Sequence, residues 1–545
     1  MNKNTGGAHG SAYWMDVDEA QSLGLTDGLG LYFGTTKAGG YLRYGGDGHS
    51  MVVAPPGAGK GVGFVVPNLV SYPGSMIVID PKGENARQTA RYRREGWGQD
   101  VFVLDPSGVT GLPSASYNPL SWLEGATPED FMADVIEFSE AVVENGFGKE
   151  TYWTSCAQNL FRALVFYLAG HDPDRLNLIE VYRLSRLPMR QFLEIMKAMQ
   201  SSECPVPLLG SWIRELGTWF LGQTEDHQKY HLATLQESTT WMGNEGAQRI
   251  MATSDFDFRN LKRRPMTIYL CIHPLQLNAY RGWFRLLVSQ AVKGVFEPIG
   301  KPVVTVNDQR VEAPVVFMLD EFARAVGRLA AIDNAIPQMR GYGGRFAFVL
   351  QSIGQAKDLY KEGWNSFEES CGLQMFMQAR GDTAEHVSKR LGLTTQAVVS
   401  GGGMSQTGRP LWFPNEVSSC PKDDVIAFVE GRAPLRLKRI TSYSDPHLSG
   451  RLDPSNMERQ ATDERPIALL DAVRSAAPLV RTEPSPAYQF SREDIAAAIG
   501  RKYPDKSLRF EGDIYGYDEA TVSEAAGQQE QRFVPIINGS LIDAL

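Results

Sequence analysis

Hydrophobic residues in this chain follow two rhythms. Short unbroken apolar runs are each predicted as strands: "MVVA" (Met51–Ala54), "SMIVID" (Ser75–Asp80), "VFVLD" (Val101–Asp105), "MTIYLCI" (Met266–Ile272), "PVVFMLD" (Pro314–Asp320), "RFAFVLQ" (Arg345–Gln351) and "LQMFMQ" (Leu373–Gln378). Runs without polar alternation suit strands covered on both faces. Helical patterns separate many of them, which predicts βαβ units and an α/β fold with a mostly parallel central sheet. From about Pro128 to Arg249 apolar residues instead recur at three- and four-residue steps, as in "FMADVIEFSEAVVE", "CAQNLFRALVFYLAG" and "MRQFLEIMKAMQ". That block is too long for a single crossover. It predicts an all-α domain, residues 128–249, inserted into an α/β domain of residues 51–127 and 250–452. Residues 1–50 read as a polar N-terminal soluble segment. Past about Asp453 the periodicity weakens into a linker, "RSAAPLVRTEPSPAYQ", a short helical stretch, "SREDIAAAIG", and an acidic tail from Glu511. Residues 453–545 are therefore expected to be a mobile linker and tail.

The length of 545 residues fits roughly two to four folding units at about 150 each. A hydrophobic content of 43% supplies a substantial core. The net charge of −9 gives no global pull toward nucleic acid or anionic lipid, so any basic surface has to be local. Three clusters qualify: "RYRREG" (Arg91–Gly96), "KRR" (Lys262–Arg264) and "RLKR" (Arg436–Arg439). They read either as phosphate contacts along a DNA path or a partner-docking surface, or as solvated faces of an acidic chain.

The five cysteines are scattered and lack C-x-x-C spacing, which predicts reduced thiols and excludes a disulfide frame or zinc site. His227 and His231 share a helical spacing, but without the glutamate of H-E-x-x-H they read as a solvated helical face. The first twenty residues have no signal-peptide core, and no uninterrupted apolar run is long enough for a membrane helix. A soluble chain is expected.

Candidate chemistry concentrates in "MVVAPPGAGKGVGFVVPNLV", a strand, a glycine-rich turn, a lysine and a helix. Pro56, Gly57, Ala58, Gly59, Lys60, Gly61 and Val62 have the pattern of a loop that cradles phosphates. The glycines let backbone N–H groups approach an anion, Lys60 adds a point charge for β and γ oxygens, and the helix offers its positive end. Gly61 stands where G-x-x-x-x-G-K-[ST] has a hydroxyl for Mg²⁺. Mg²⁺ keeps several waters and is held by phosphates and one carboxylate, so the loss of one ligand is tolerable.

An acidic strand end, Asp320-Glu321 in "APVVFMLDEF", reads as the metal-linked and water-activating carboxylates, or as acids complementing a helix dipole. Asp320 is the candidate Mg²⁺ residue, acting through nucleotide and water. Gln351, ending the next strand, is a candidate γ-phosphate sensor or water holder, against an ordinary strand-end amide. In "IDPKGEN", Asp80, Lys82 and Glu84 complete the metal or nucleotide surroundings, contact a neighbouring subunit, or form only a charged turn. "SGGGMSQTGRPLW" (Ser400–Trp412) is too glycine-rich for regular structure and is expected to be a mobile loop.

Taken together, "APPGAGKGVGFVVPNLVSYPGSMIVIDPKGEN", "YNPL", "SDFDFRNLKRRPMTIYLCI", "PVVFMLDEFA", "GYGGRFAFVLQS", "DTAEHVSKRLG" and "RAPLRLKRITSYSDPHLSGR" resemble the type IV coupling proteins of bacterial conjugation and secretion, in their TraG-like branch. The resemblance runs in order from about Gly10 to Arg451. It implies a RecA-like P-loop motor domain with an inserted all-α domain and Mg²⁺ and ATP as cofactors. In that branch a glycine after the loop lysine is usual. Carried over, Gly59 and Lys60 are the phosphate loop, Asp320 and Glu321 the acidic pair, and Gln351 the γ-phosphate sensor.

The implied assembly is a homo-hexameric ring at the cytoplasmic face of the inner membrane. It would couple ATP hydrolysis to passage of single-stranded DNA, a relaxase or relaxosome, or secreted effector proteins into a type IV secretion channel, beside that system's inner-membrane components and ATPases. Substrate recognition would fall to the helical domain and the acidic tail. A receptor that binds nucleotide without hydrolysis is the other reading. A ring implies an arginine finger from a neighbour, for which Arg340, Arg345 and Arg380 are candidates beside surface ion-pair roles. Family members usually begin with two transmembrane helices, so this chain is expected either to lack its anchor or to be an anchorless member relying on a membrane partner.

Overall fold

The computed structural model describes residues 9–36, 39–144, 150–400, 403–454, 506–514, 517–524 and 530–533. Two compact units result, Met1–Ser455 and Asn456–Leu545.

The first unit is built on an eleven-stranded sheet. Its strands in chain order begin with β1 (Leu31–Thr35), β2 (Tyr41–Tyr44), β3 (His49–Val53), β4 (Met76–Asp80), β5 (Asp100–Leu104) and β6 (Met266–Cys271). A separate hairpin, β7 (Val303–Val306) with β8 (Gln309–Glu312), precedes β9 (Val315–Leu319), β10 (Gly344–Leu350) and β11 (Cys371–Met377). A second hairpin, β12 (Leu393–Ser400) with β13 (Gly403–Pro410), leads to β14 (Asp424–Val429) and β15 (Leu435–Lys438).

The spatial order is β2-β1-β15-β14-β11-β3-β10-β9-β4-β6-β5. From β11 to β5 every neighbouring pair is parallel, whereas β14, β15, β1 and β2 add an antiparallel edge. The fold is therefore α/β with a mostly parallel sheet. β3, β4, β6 and β9 are buried along their whole length, which is why their sequences show no polar alternation. Successive residues still face opposite sides. Met51 and Val53 join one apolar cluster, Val52 and Ala54 the other.

Between β5 and β6 runs a succession of helices from Pro128–Val142 to Glu245–Met251. Their starts are written locally: Thr127, Asn177, Thr224 and Asn244 each accept a first-turn N–H with their side chains. Their apolar faces do not close on themselves. Phe138, Phe161, Phe192 and Phe220 belong to the same cluster as Met51 and Ile77 of the sheet and Trp283 and Phe284 of the helix Arg281–Phe296. Among the described residues no helix is long and apolar enough to cross a membrane.

Several expectations change. Part of the N-terminal segment set apart at 1–50 is sheet: β1 and β2 extend the antiparallel edge through β15. Within the stretch expected to be an irregular loop, Ser400 ends β12 and Gly403–Pro410 form β13, paired from Leu393↔Pro410 to Ser400↔Gly403, because cross-strand pairing overrides the residues' own weak strand preference. His231 is not on a solvated face. It is buried, with Trp219 stacked on it at 5.7 Å and Trp153 at 5.5 Å. Among the described residues no group of metal-ligating side chains assembles.

The second unit contains an antiparallel sheet of Lys506–Ile514, Tyr517–Glu524 and Glu530–Phe533, most of it in the stretch from Glu511 expected to be a mobile acidic tail. The helical stretch expected at "SREDIAAAIG" and the linker before it lie outside the described residues.

Candidate nucleotide site

The glycine-rich loop begins where β3 ends. Ala54 N–H still bonds Leu350 O at 2.9 Å, extending the pairing with β10, and Ala58 N–H then closes a turn on Pro55 O at 3.0 Å. Gly57 and Gly59 have φ of 79° and 88°, a region that a side chain would strain. The chain enters the helical stretch Gly61–Ser71 directly after Lys60, with Gly63 N–H on Gly59 O at 2.8 Å. Lys60 thus stands at a helix start, where the backbone dipole favours an anion.

Because β3, β10, β9 and β4 are neighbours and parallel, their carboxyl ends share one rim of the sheet. That topology unites residues far apart in sequence. Lys60 Nζ lies 3.0 Å from Asp320 Oδ1 and 2.5 Å from Glu321 Oε1. Gln351 Nε2 donates to both Glu321 carboxylate oxygens, at 2.9 and 2.8 Å. Its own backbone N–H is held by Gln355 Oε1 at 2.9 Å. Glu321 takes a left-handed backbone, φ 54° and ψ 32°, uncommon for a residue with a side chain. This turn off β9 brings Glu321 beside Lys60 and Gln351, while its N–H caps Asp320 Oδ1 at 3.0 Å.

Burial works against every charge here, and ion pairing outweighs it at two of the three groups. For Lys60 burial is outweighed by Asp320 and Glu321, so its ammonium is held more firmly than usual. In Asp320 burial wins over Lys60 and lifts the carboxyl above the ordinary range. Glu321 is also partly buried, but hydrogen bonds from Lys60 and Gln351 prevail and hold it below that range. The site therefore holds one strongly ionised carboxylate and one that retains a proton more readily. A lysine at a glycine loop and a carboxylate at the adjacent strand end suit a phosphate chain and its Mg²⁺.

Asp80 ends β4 next to β9, beneath the same rim and within electrostatic reach of Asp320. It is buried, its Oδ2 accepts Ala86 N–H at 2.8 Å, and burial pushes its carboxyl up to about 7. It serves the helix Glu84–Glu95, while Lys82 is exposed. Pro56 and Gly57 lie exposed at the loop tip, and Ala58 is buried beneath it. At Gly61 a β-carbon would meet nothing within 4 Å. Val62 O accepts Ser442 N–H at 3.1 Å.

The candidate arginine fingers separate. Arg345 sits at the amino end of β10 and is committed to Gly46 O, Gly344 O and Asp47. Arg340 is 67% exposed, with Asp47 at 3.8 Å, and Arg380 is exposed just beyond β11.

The basic clusters are mixed: Arg91, Arg94, Arg263, Arg264, Arg436 and Lys438 are exposed, while one cation of each cluster is covered. Arg93 is fully buried, donating to the carbonyls of Leu69, Tyr72 and Gly74. Lys262 is buried on Glu297 O and Ile299 O, at 2.6 and 2.7 Å. Arg436 and Lys438 converge on Asp424 at 2.6 and 2.5 Å. Arg439 instead lies along the phosphate loop. Sequence reading missed its position, although Gly63, a further glycine beyond the loop, was a signal of close approach.

A family model described as type IV secretory system conjugative DNA transfer matches residues 13–465. The VirD4 protein of Agrobacterium fabrum is 29% identical over 470 residues, a match covering 80% of this chain and 66% of that protein, so the chain spans just under two-thirds of its length. The conjugal transfer protein TraG of Escherichia coli is 26% identical over 517 residues, covering 82% and 79%. The unbound bacterial conjugative coupling protein TrwBdeltaN70 has a similar fold, with TM-score 0.59 at 16% identity over 78% of this chain and 92% of that one. The plasmid coupling protein TrwB in complex with ADP and Mg²⁺ gives 0.57 at 16% identity, over 79% and 94%.

Proposed function

Because the chain belongs to the type IV secretory system conjugative DNA transfer family, we propose that it is a coupling protein that hydrolyses ATP to feed substrate into a type IV secretion channel. The observation that carries this reading is the convergence of Lys60, Asp320, Glu321 and Gln351 on one rim of the sheet. A protein that only bound substrate would need neither a carboxylate held ionised beside the loop lysine nor an amide holding that carboxylate.

Mg²⁺-ATP, when bound, supplies the phosphoryl group and the metal's neutralising charge. Lys60, with the backbone N–H groups of Gly57–Gly61, would hold the phosphate chain in place of the two carboxylates. Asp320 would hold the Mg²⁺. Glu321, released from Lys60 but still gripped by Gln351, orients the attacking water. Gln351 links the γ-phosphate position to the water-orienting group, so movement at one is felt at the other.

The partners follow from the family: single-stranded DNA with a relaxase or relaxosome, or secreted effector proteins, and the inner-membrane components and ATPases of the channel. The working assembly is a homo-hexamer at the cytoplasmic face of the inner membrane. Arg340 and Arg380, both exposed, are the arginines able to reach a neighbouring site, and the helical block and C-terminal unit are the places for substrate recognition.

The test is ATP hydrolysis by the purified chain with and without single-stranded DNA, beside Lys60→Ala and Glu321→Gln. Turnover that rises with DNA and disappears in both variants supports a DNA-coupled motor. Nucleotide binding without turnover at every protein and DNA concentration refutes the motor and leaves a nucleotide-regulated receptor.

A further inference from the structure

Arg439 follows β15 and crosses to the loop after β3. The crossing is sterically tight. A β-carbon on Gly59 would lie 1.6 Å from Arg439 Nη1, and one on Gly63 would lie 2.7 Å from its Cγ. Both glycines therefore make room for the same side chain. The next residues hold this placement: Arg439 N–H bonds Asp423 O at 2.7 Å, and Ser442 N–H bonds Val62 O at 3.1 Å.

The guanidinium has five donors, and the protein uses few of them. Nη1 reaches Ala58 O only at 3.5 Å, and Nη2 pairs with Asp423 Oδ1 at 3.1 Å. Nε is buried without a hydrogen-bond partner among the described residues, as is Ser442 Oγ. Arg439 is 13% exposed, whereas Asp423 is 71% exposed, so this counter-charge is largely in solvent and weak. An under-used guanidinium packed on a phosphate loop matches a phosphate ester, which it recognises through parallel N–H···O bonds.

We propose that Arg439 is a nucleotide-binding residue, supplied by the same subunit, that grips the diphosphate of the bound nucleotide from the β15 side of the loop while Lys60 grips it from the β9 side. The proposal rests on the nucleotide reading of the loop. It gives the cluster "RLKR" a role other than the DNA path: two of its cations are spent on Asp424, and the last is turned to the nucleotide. Asp423 keeps Arg439 on the loop rim in the meantime.

The experiment is a fluorescence titration of the full chain with N-methylanthraniloyl-ADP, comparing wild type with Arg439→Ala, Arg439→Lys, Asp423→Asn and Lys60→Ala, each melted without nucleotide as a fold check. Loss of a charge-assisted contact is expected to weaken ADP binding about tenfold or more in Arg439→Ala, with partial rescue in Arg439→Lys. Asp423→Asn, which frees the guanidinium but keeps it, is expected to bind as wild type or tighter. If wild type binds, Lys60→Ala fails and Arg439→Ala binds as wild type, Arg439 is only loop packing and the proposal is overturned. If Arg439→Ala and Asp423→Asn weaken binding equally, the effect comes from loop support and the proposal is likewise overturned. If wild type itself binds no ADP, the nucleotide reading fails and the role of Arg439 with it.

Discussion

Replacing Lys60 by alanine should destabilise the protein before any nucleotide is considered. Lys60, Asp320 and Glu321 are only 18%, 15% and 17% exposed, so removing the cation strands two carboxylates at one strand end. Breaking a buried pair by deleting one partner costs about 3–5 kcal/mol, and the partial exposure here puts Lys60→Ala near about 3. With an unfolding entropy of about 2.1 cal/mol/K per residue over a unit of roughly 450 residues, that corresponds to a drop of about 3 °C in Tm. The loss has a pH signature. At the alkaline end both stranded carboxylates are charged and repel. As pH falls, Asp320, already lifted by burial, takes a proton and the penalty shrinks. Glu321 has the opposite sign in the wild type: held low by Lys60 and Gln351, it contributes stability above its unfolded range that is lost as pH falls. The assay is thermal melting of wild type, Lys60→Ala and Lys60→Ala/Glu321→Gln at pH 8 and pH 5.5. The double variant, left with one carboxylate, should recover part of the loss at pH 8. Equal melting of wild type and Lys60→Ala at pH 8, or no recovery in the double variant, refutes the argument that this triad is electrostatically coupled.

The loop glycines should behave differently from one another. Gly61→Ser has open space for its side chain, so it is expected to melt with wild type and to need less Mg²⁺ for half-maximal hydrolysis, because the hydroxyl adds a ligand. Gly59→Ala, with φ 88° and Arg439 in the way, should cost about 1 kcal/mol or more in a denaturation series. Asp80, with its pKa moved from 3.8 to about 7, supports stability that is full below the unfolded value and lost as pH rises through the folded one. Asp80→Asn should therefore gain on wild type between about pH 4 and about pH 7, and a difference independent of pH over that window contradicts the buried carboxyl. Gln351→Ala should lower kcat while leaving KM nearly unchanged, since Gln351 holds Glu321, the carboxylate proposed to orient water; a raised KM at constant kcat would make it a ground-state binding residue.

The parallel strands were readable because burial on both faces removes polar residues, and β3, β4, β6 and β9 show that in their letters. The helix starts were written locally too, in residues such as Thr127 and Thr224, and so was the glycine-rich turn before Lys60, whose Gly57 and Gly59 take positive φ. What sequence could not supply was pairing order. Only the arrangement β3-β10-β9 carries Lys60, Glu321 and Gln351 to one rim, and Glu321 reaches the others through a left-handed turn that no propensity favours for glutamate. The same limit explains the basic clusters. Charge is countable along the chain, but burial is not, so Arg93 and Lys262 became internal hydrogen-bond donors and Arg439 a neighbour of the phosphate loop. The edge strands β1 and β2 also had to wait, because a short strand owes its existence to its partner across the sheet, and β15 lies far along the chain. Local sequence wrote the elements and the chemistry of each; long-range packing chose which of them meet.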